Sequence, residues 1–220
     1  MNRLYRTILR PLPWFLKWYL SKEREYRYED LSIVVMPGVF HPGLFHSTTM
    51  LLQYIDTQLL TGSFLEVGGG TGIVSILAAR KGVDVVVTDI SKKAVDNIHQ
   101  NATKNSVSIT IIQSDLFENM VEKKFDWIVV NPPYYPRKPD KEEDYAWYCG
   151  EQHEYFLKFF QGVNRFIKPE SHIIMVLSEV CDLSTIYKIA SGYGFTFVKI
   201  AEKSVWVDGK NYVFQIKQTA

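Results

Sequence analysis

From about residue 31 onward, short apolar runs alternate with longer stretches whose apolar positions recur at helical spacing. Residues 31–36 read as a strand closed by Pro37-Gly38. Residues 47–60 read as a helix with Met50, Leu51, Tyr54 and Ile55 on one face and Ser47 or Thr48 as its cap. Strand-like runs at 64–67, 83–88, 108–112, 127–130 and 172–177 then enclose helical segments at 73–81, 92–101 and 154–166. That rhythm predicts an α/β fold with a doubly wound, mainly parallel sheet. Segments 194–201 and 212–217 flank a turn containing Asp208-Gly209 and predict a closing antiparallel hairpin.

Residues 1–35 differ from the rest and read as an N-terminal extension, with the main domain spanning 36–220. Arg3, Arg6, Arg10, Lys17, Lys22, Arg24 and Arg27 interleave with Tyr5, Trp14, Phe15, Trp18 and Tyr19. Phe15, Trp18 and Tyr19 share one helical face. Such a stretch either touches RNA or a membrane surface, or caps the main domain with its aromatic rings. The run at 12–20 is short, interrupted by Lys17 and lacks a small-residue cleavage site, so it reads neither as a signal peptide nor as a membrane span.

Composition adds little beyond this. The 220 residues, 46% hydrophobic, suffice for a sizeable core, and a net charge of +1 selects no partner. Cys149 and Cys181 form no metal-binding or disulfide spacing, so the expectation is a cytoplasmic protein with two reduced thiols and no metal.

The candidate chemistry lies at predicted strand ends, where open α/β sheets bind ligands. Glu66 is followed by glycines at 68, 70 and 72, an E-x-G-x-G-x-G turn in which backbone approaches a ligand without Cβ interference. A dinucleotide fingerprint beginning at Gly68 would need glycine at 73, where Ile73 stands, and no P-loop pattern occurs. Asp89 ends the next strand, placed to accept both hydroxyls of a ribose, or else to cap the following helix beside Ser91. Asp115 follows the third strand, placed to accept from an adenine amino group, with Ile90 or Leu116 packing on the ring.

The fourth strand delivers Asn131-Pro132-Pro133-Tyr134. An amide or aminopurine nitrogen is a poor nucleophile because its lone pair is delocalised. Two acceptors on its hydrogens, the Asn131 side-chain oxygen and the Pro132 carbonyl, would favour the pyramidal, increasingly positive nitrogen of a methyl-transfer transition state. The prolines aim those acceptors, and Tyr134 offers a face for a planar group. Read alone, the tetrapeptide is also an ordinary turn.

These four motifs, in this order and spacing, resemble class I S-adenosylmethionine-dependent methyltransferases, and among them the small-domain, HemK-like branch that methylates planar nitrogens. Met36-Pro37-Gly38-Val39-Phe40-His41-Pro42-Gly43 resembles the segment before the cofactor domain in ribosomal RNA guanine methyltransferases of that group. The resemblance covers residues 36–180. It implies a Rossmann-like, seven-stranded sheet with the last strand antiparallel and S-adenosyl-L-methionine as cofactor. Glu66, Gly68 and Gly70 would frame the methionine end, Asp89 the ribose and Asp115 the adenine, with Ile90 and Leu116 beside them. Asn131, Pro132 and Tyr134 would handle the acceptor, Asn131 also bordering the cofactor.

The acceptor expected first is a base of ribosomal or transfer RNA, then a protein glutamine of the release-factor type, then a small-molecule amine. A non-catalytic cofactor-binding module would predict a damaged Asn131 or glycine turn, and both are intact. His41 and His46 are weaker candidates for the acceptor pocket. The charged, aromatic stretch at 137–148 reads as a lid or as a solvated loop.

Overall fold

The computed structural model describes residues 18–205 and 209–219. The N-terminal arm up to Lys17, including Phe15, and the turn residue Asp208 lie outside the described residues. The elements are β1 (Arg24–Tyr28), β2 (Leu31–Val35), α1 (His46–Thr57), β3 (Ser63–Val67), α2 (Ile73–Arg80), β4 (Asp84–Asp89), α3 (Lys92–Lys104), β5 (Thr110–Gln113) and β6 (Phe125–Val130). There follow α4 (Glu154–Val163), β7 (Ile167–Ser178), α5 (Leu183–Gly192), β8 (Phe195–Val205) and β9 (Gly209–Gln218), with short 3-10 turns at Glu142–Ala146 and Asn164–Phe166.

Seven strands form one sheet in the order β5-β4-β3-β6-β7-β9-β8. Strands β3 to β7 pair in parallel, whereas β9 runs antiparallel to both β7 and β8. The expected Rossmann-like sheet and terminal hairpin are therefore present. Chain order reverses between β3 and β6, which opens a crevice beyond their carboxyl ends.

The fully buried strands divide their apolar residues between two layers by simple alternation. Phe64, Trp127, Val129, Ile174 and Val176 face α1 and α2, whose inward residues include Leu51, Leu52, Ile55, Ile76 and Ala78. Leu65, Val67, Ile128, Val130, Met175 and Leu177 face α4 and α5, through Phe156, Phe159, Phe160 and Ile186. Each half-strand thus anchors one helical layer, so the strand ends carry a fixed position relative to both.

Two elements escape the hydrophobic pattern. Strand β1, Arg-Glu-Tyr-Arg-Tyr, has no apolar run because it buries neither face fully. Helix α5 is short and fully buries only Ile186 and Ala190, with Leu183 and Ile189 partly buried beside them, so its apolar face is narrow though it keeps helical spacing. The cap expected of α1 is also corrected: the N-cap is Phe45, in extended conformation and without a side-chain cap bond, and Ser47 and Thr48 lie buried inside the first turn.

The β1–β2 hairpin is antiparallel and sits apart from the main sheet. Its second strand nevertheless joins the core through Leu31, Ile33 and Val35. The β2 edge facing away from β1 is completed by three asparagines spaced four apart, two within α3 and Asn105 at its C-cap. Asn105, Asn101 and Asn97 accept from the backbone N–H of Ser32, Val34 and Met36 at 3.3, 2.8 and 3.1 Å. Their amide nitrogens donate back to Ser32 O and Val34 O. Side chains on one helical face here perform the work of a neighbouring strand.

Candidate active site

The glycine turn after β3 is shaped by left-handed backbone: φ is 77° at Gly68, 56° at Gly70 and 78° at Gly72. The glycines differ in what surrounds them. A Cβ on Gly69 would lie 2.3 Å from Val87 Cγ2, and one on Gly72 2.9 Å from Ile98 Cγ2, so these two serve packing. A Cβ on Gly68 or Gly70 would meet nothing within 4 Å. Those two border open space, and that space is a cavity of about 690 Å³ at the switch point.

The cavity wall contains Glu66, Gly68, Gly70, Asp89, Ile90, Asp115, Leu116, Asn131, Pro132 and Tyr134. These residues leave the carboxyl ends of β3, β4, β5 and β6, so the sheet gathers them from 69 positions of sequence (134 − 66 + 1) at one edge. The cavity wall includes neither His41 nor His46. His41 is instead buried between Tyr19 and Tyr26, its Nδ1 accepting from Gly43 N at 3.1 Å.

Glu66 is 6% exposed, and one carboxylate oxygen accepts from Ser75 N at 2.9 Å and from Ser75 Oγ. Burial pushes its carboxyl up to about 8, against the opposing effect of the two Ser75 bonds, with nearby Asp89 adding a smaller push upward. Asp89 accepts from Gly70 N at 2.8 Å through one oxygen and from Ser91 N at 2.9 Å through the other. It therefore ties the glycine turn to the start of α3. Burial raises its carboxyl as well, opposed by those backbone donors. The N-cap of α3 is Ser91, which accepts from Ala94 N, leaving Asp89 to the cavity.

Asp115 forms an ion pair with Lys158 of α4. Its neighbour Leu116 adopts φ 53°, a left-handed conformation uncommon for leucine and frequent where a binding site dictates the backbone.

At the other end of the cavity, the Asn131 side chain is engaged on both sides. Oδ1 accepts from Tyr134 OH at 3.1 Å, and Nδ2 donates to Ser47 Oγ at 3.4 Å and Thr48 Oγ1 at 3.3 Å. Phe40, Phe45 and Trp147, all on the cavity wall, pack against one another with centroids 5.2–5.3 Å apart.

The segment at 137–148 lies over this cavity. Its base is closed on the acceptor motif, because the backbone N–H groups of Tyr134 and Tyr135 both donate to Trp147 O, at 3.1 and 2.9 Å. Its apex reaches the donor end, where Glu142 accepts from Ser91 Oγ at 2.7 Å and Glu143 pairs with Lys93 at 3.0 Å. Lys138, Glu142, Tyr145 and Trp147 border the cavity, the first three while remaining exposed. The segment lines part of the cavity and also keeps Arg137, Lys138 and residues 140–143 exposed, so it carries features of both readings, the lid and the solvated loop.

Several partners had no clear sequence signature. Ser75 was visible only as a lone polar residue in Ile-Val-Ser-Ile-Leu-Ala-Ala, and Lys158 as the single cation in a helix rich in phenylalanine. Ser47 and Thr48 carried a cap signal that concealed their contact with Asn131.

A protein of Methanocaldococcus jannaschii with the curated name "Putative protein N5-glutamine methyltransferase" is 39% identical over 117 residues, covering 53% of this chain and 57% of that protein. Ribosomal RNA small subunit methyltransferase C of Buchnera aphidicola is 32% identical over 133 residues, covering 59% of this chain and 38% of the relative. The chain thus spans from well under half to just over half the length of these relatives. Among solved structures, the Thermus thermophilus 16S rRNA N2 methyltransferase in complex with AdoMet and guanosine superposes with a TM-score of 0.63 at 18% identity, covering 90% of this chain and 50% of that one. At that identity the likeness concerns the fold. The family model described as "Methyltransferase small domain" matches residues 30–190, and this chain belongs to that family.

Proposed function

We propose that this protein is an S-adenosylmethionine-dependent N-methyltransferase whose acceptor is a planar exocyclic amino or amide nitrogen. The observation that carries the reading is one cavity holding both a glycine-and-acid cradle and the Asn131–Tyr134 motif. The residues present fit the cofactor. Gly68 and Gly70 leave room that any side chain would fill, and the buried carboxyl of Glu66 and the half-buried carboxyl of Asp89 suit an ammonium and a pair of ribose hydroxyls. Asp115, Ile90 and Leu116 complete the adenine end in this reading. The bound cofactor supplies an activated methyl group.

The protein's part is orientation. Asn131 Oδ1 and the Pro132 carbonyl accept the two amino hydrogens of the acceptor, turning its lone pair toward the methyl group as positive charge develops. Pro132 and Pro133 hold those acceptors without backbone freedom. The cover at 137–148 excludes water from the transfer.

For the acceptor, an RNA base is favoured by the Phe40, Phe45 and Trp147 rings beside Tyr134, which suit a flat heterocycle. The basic residues Arg3, Arg6, Arg10 and Lys17 suit a phosphate backbone. A protein glutamine is the second reading, supported by the name of the M. jannaschii relative. Two free, buried cysteines, Cys149 and Cys181, accord with a cytoplasmic location, and no described helix is long and apolar enough to cross a membrane.

The test is transfer of a tritiated methyl group from S-adenosylmethionine into fractionated lysate of a strain lacking the gene. Label in RNA supports the first reading, label in protein the second and label in small molecules neither; no label in any fraction, or no cofactor binding by calorimetry, refutes the proposal. Asn131→Ala should abolish transfer and leave cofactor affinity nearly intact.

A further inference from the structure

We infer that His41, clamped from outside by the β1–β2 hairpin, is a positioning residue for the acceptor: it sets the turn that presents Phe40 and Phe45 to the cavity. This rests on the N-methyltransferase reading above. The turn divides its residues between two sides. Phe40, Pro42, Leu44 and Phe45 border the cavity, whereas His41 and Gly43 do not. Those two meet the hairpin instead. The His41 ring lies 6.1 Å from that of Tyr19 and 6.0 Å from that of Tyr26, and a Cβ on Gly43 would stand 2.7 Å from Tyr26 Cε2. Tyr19 is itself pinned by Arg24 of β1, whose Nε donates to Tyr19 O at 2.8 Å and whose guanidinium stands 4.1 Å from the Tyr19 ring centroid.

The imidazole folds the turn around itself. Its Nδ1 accepts from Gly43 N at 3.1 Å, and its backbone carbonyl accepts from Leu44 N at 3.2 Å. An accepting Nδ1 carries no proton, so the ring proton sits on Nε2. Burial lowers the pKa of this imidazole, and the Arg24 charge adds to that, in keeping with a neutral ring. Nε2 is buried and has no hydrogen-bond partner. A side chain at 7% exposure with an unpaired N–H works against stability, so a purely structural role would be better filled by an apolar residue. What an apolar residue could not supply is the acceptor for Gly43 N.

The turn leads straight to the acceptor motif. Phe45 is the N-cap of α1, and Phe40 and Phe45 pack on Trp147 at 5.2 and 5.3 Å. The Trp147 carbonyl in turn takes the N–H groups of Tyr134 and Tyr135. A displaced turn is therefore felt at Tyr134 through two contacts, while Glu66 and Asp89 keep their own partners, Ser75, Gly70 and Ser91.

Two substitutions of His41 pull stability and activity in opposite directions. His41→Leu removes the Nδ1 acceptor together with the unpaired N–H; its Tm should be equal or higher, and kcat/KM for the acceptor lower by roughly 3- to 10-fold. His41→Asn places an oxygen near the Nδ1 position but gives up ring packing; its Tm should fall, with kcat/KM within about 2-fold of the unsubstituted protein. Gly43→Ala should lower kcat/KM as His41→Leu does, and adding Tyr26→Leu should restore most of the loss, because the smaller side chain makes room for the methyl group. Cofactor Kd should change less than about 2-fold in all of them. The assay is tritiated-methyl transfer into whichever lysate fraction the unsubstituted protein labels.

A second readout needs no acceptor. The indole N–H resonance of Trp147, assigned from its loss in Trp147→Phe, should move in His41→Leu and Gly43→Ala and stay in place in His41→Asn. If His41→Leu does not fold, Gly43→Ala with and without Tyr26→Leu carries both measurements. An unchanged kcat/KM in His41→Leu and Gly43→Ala, activity that follows Tm across the two His41 variants, or a Trp147 resonance unmoved in all variants overturns the inference. Absence of any labelled fraction refutes the methyltransferase reading instead, and the Trp147 resonance still decides whether His41 sets the wall.

Discussion

Asn101 and Val34 exchange a pair of hydrogen bonds across 67 positions of sequence: the Val34 N–H donates to Asn101 Oδ1, and Asn101 Nδ2 donates to Val34 O, both at 2.8 Å. Asn101 Nδ2 also donates to Thr71 O at 2.9 Å, so one fully buried side chain joins the hairpin, α3 and the glycine turn. Asn101→Ala would leave buried backbone groups unpaired. The expected loss is roughly 2–3 kcal/mol, or about 5–10 °C in Tm, measured by thermal unfolding. His99 of the same helix is exposed, and His99→Ala should change Tm little.

The glycines should separate fold from binding. Gly69→Ala places a methyl 2.3 Å from Val87 and should cost about 1–3 kcal/mol of stability. Gly70→Ala meets no atom but carries φ 56° and projects into the cavity, so it should cost only about 1 kcal/mol of stability. Calorimetry should show its cofactor affinity falling at least 10-fold. If Gly69→Ala and Gly70→Ala lose stability and affinity in the same proportion, the assignment of distinct roles is wrong.

Glu66 makes stability depend on pH in an unusual direction. Its folded-state carboxyl titrates at about 8 against an ordinary value of 4.5, because burial disfavours the charge. The native state therefore holds a proton that the unfolded chain releases, and its stabilisation is complete below pH 4.5 and is lost as pH rises toward about 8. Asp89 acts in the same sense. Urea midpoints of the ligand-free protein should decline between pH 5 and 8, and Glu66→Gln should flatten that decline.

The cover at 137–148 should be loosened by removing its apical contact. Glu142 is exposed apart from its bonds to Ser91 and Lys93, so Glu142→Ala should leave global stability within about 0.5 kcal/mol. It should speed dissociation of S-adenosylhomocysteine roughly 2- to 5-fold by stopped flow. Ser91→Ala should speed dissociation likewise but also cost about 1 kcal/mol of stability, because Ser91 caps α3, and combining the two should add little to the rate.

The alternation of apolar runs and helical stretches was enough to predict the order of β2 to β9 and the closing hairpin, because fully buried strands must be continuously apolar. Strand β1 and helix α5 were not legible, β1 because it has no apolar run, whereas β5, no more buried, was betrayed by its adjacent Ile111 and Ile112. The residues at strand ends were legible because chain direction in a parallel sheet puts every carboxyl end on one edge. The partners that complete them come from elsewhere: Ser75 beneath Glu66, Lys158 across from Asp115, Ser47 and Thr48 behind Asn131.

By itself, then, the sequence determined the elements, their alternation and the chemical groups presented at the sheet edge, since these follow from local periodicity and chain direction. Tertiary structure alone decided which glycines face open space and which face Val87 and Ile98, and that asparagines 97, 101 and 105 stand in for a strand. It also decided that a charged loop reaches from Tyr134 to Ser91. Each of these depends on what packs across a gap between segments distant in sequence, and neither propensity nor spacing within one segment encodes the far side of that gap.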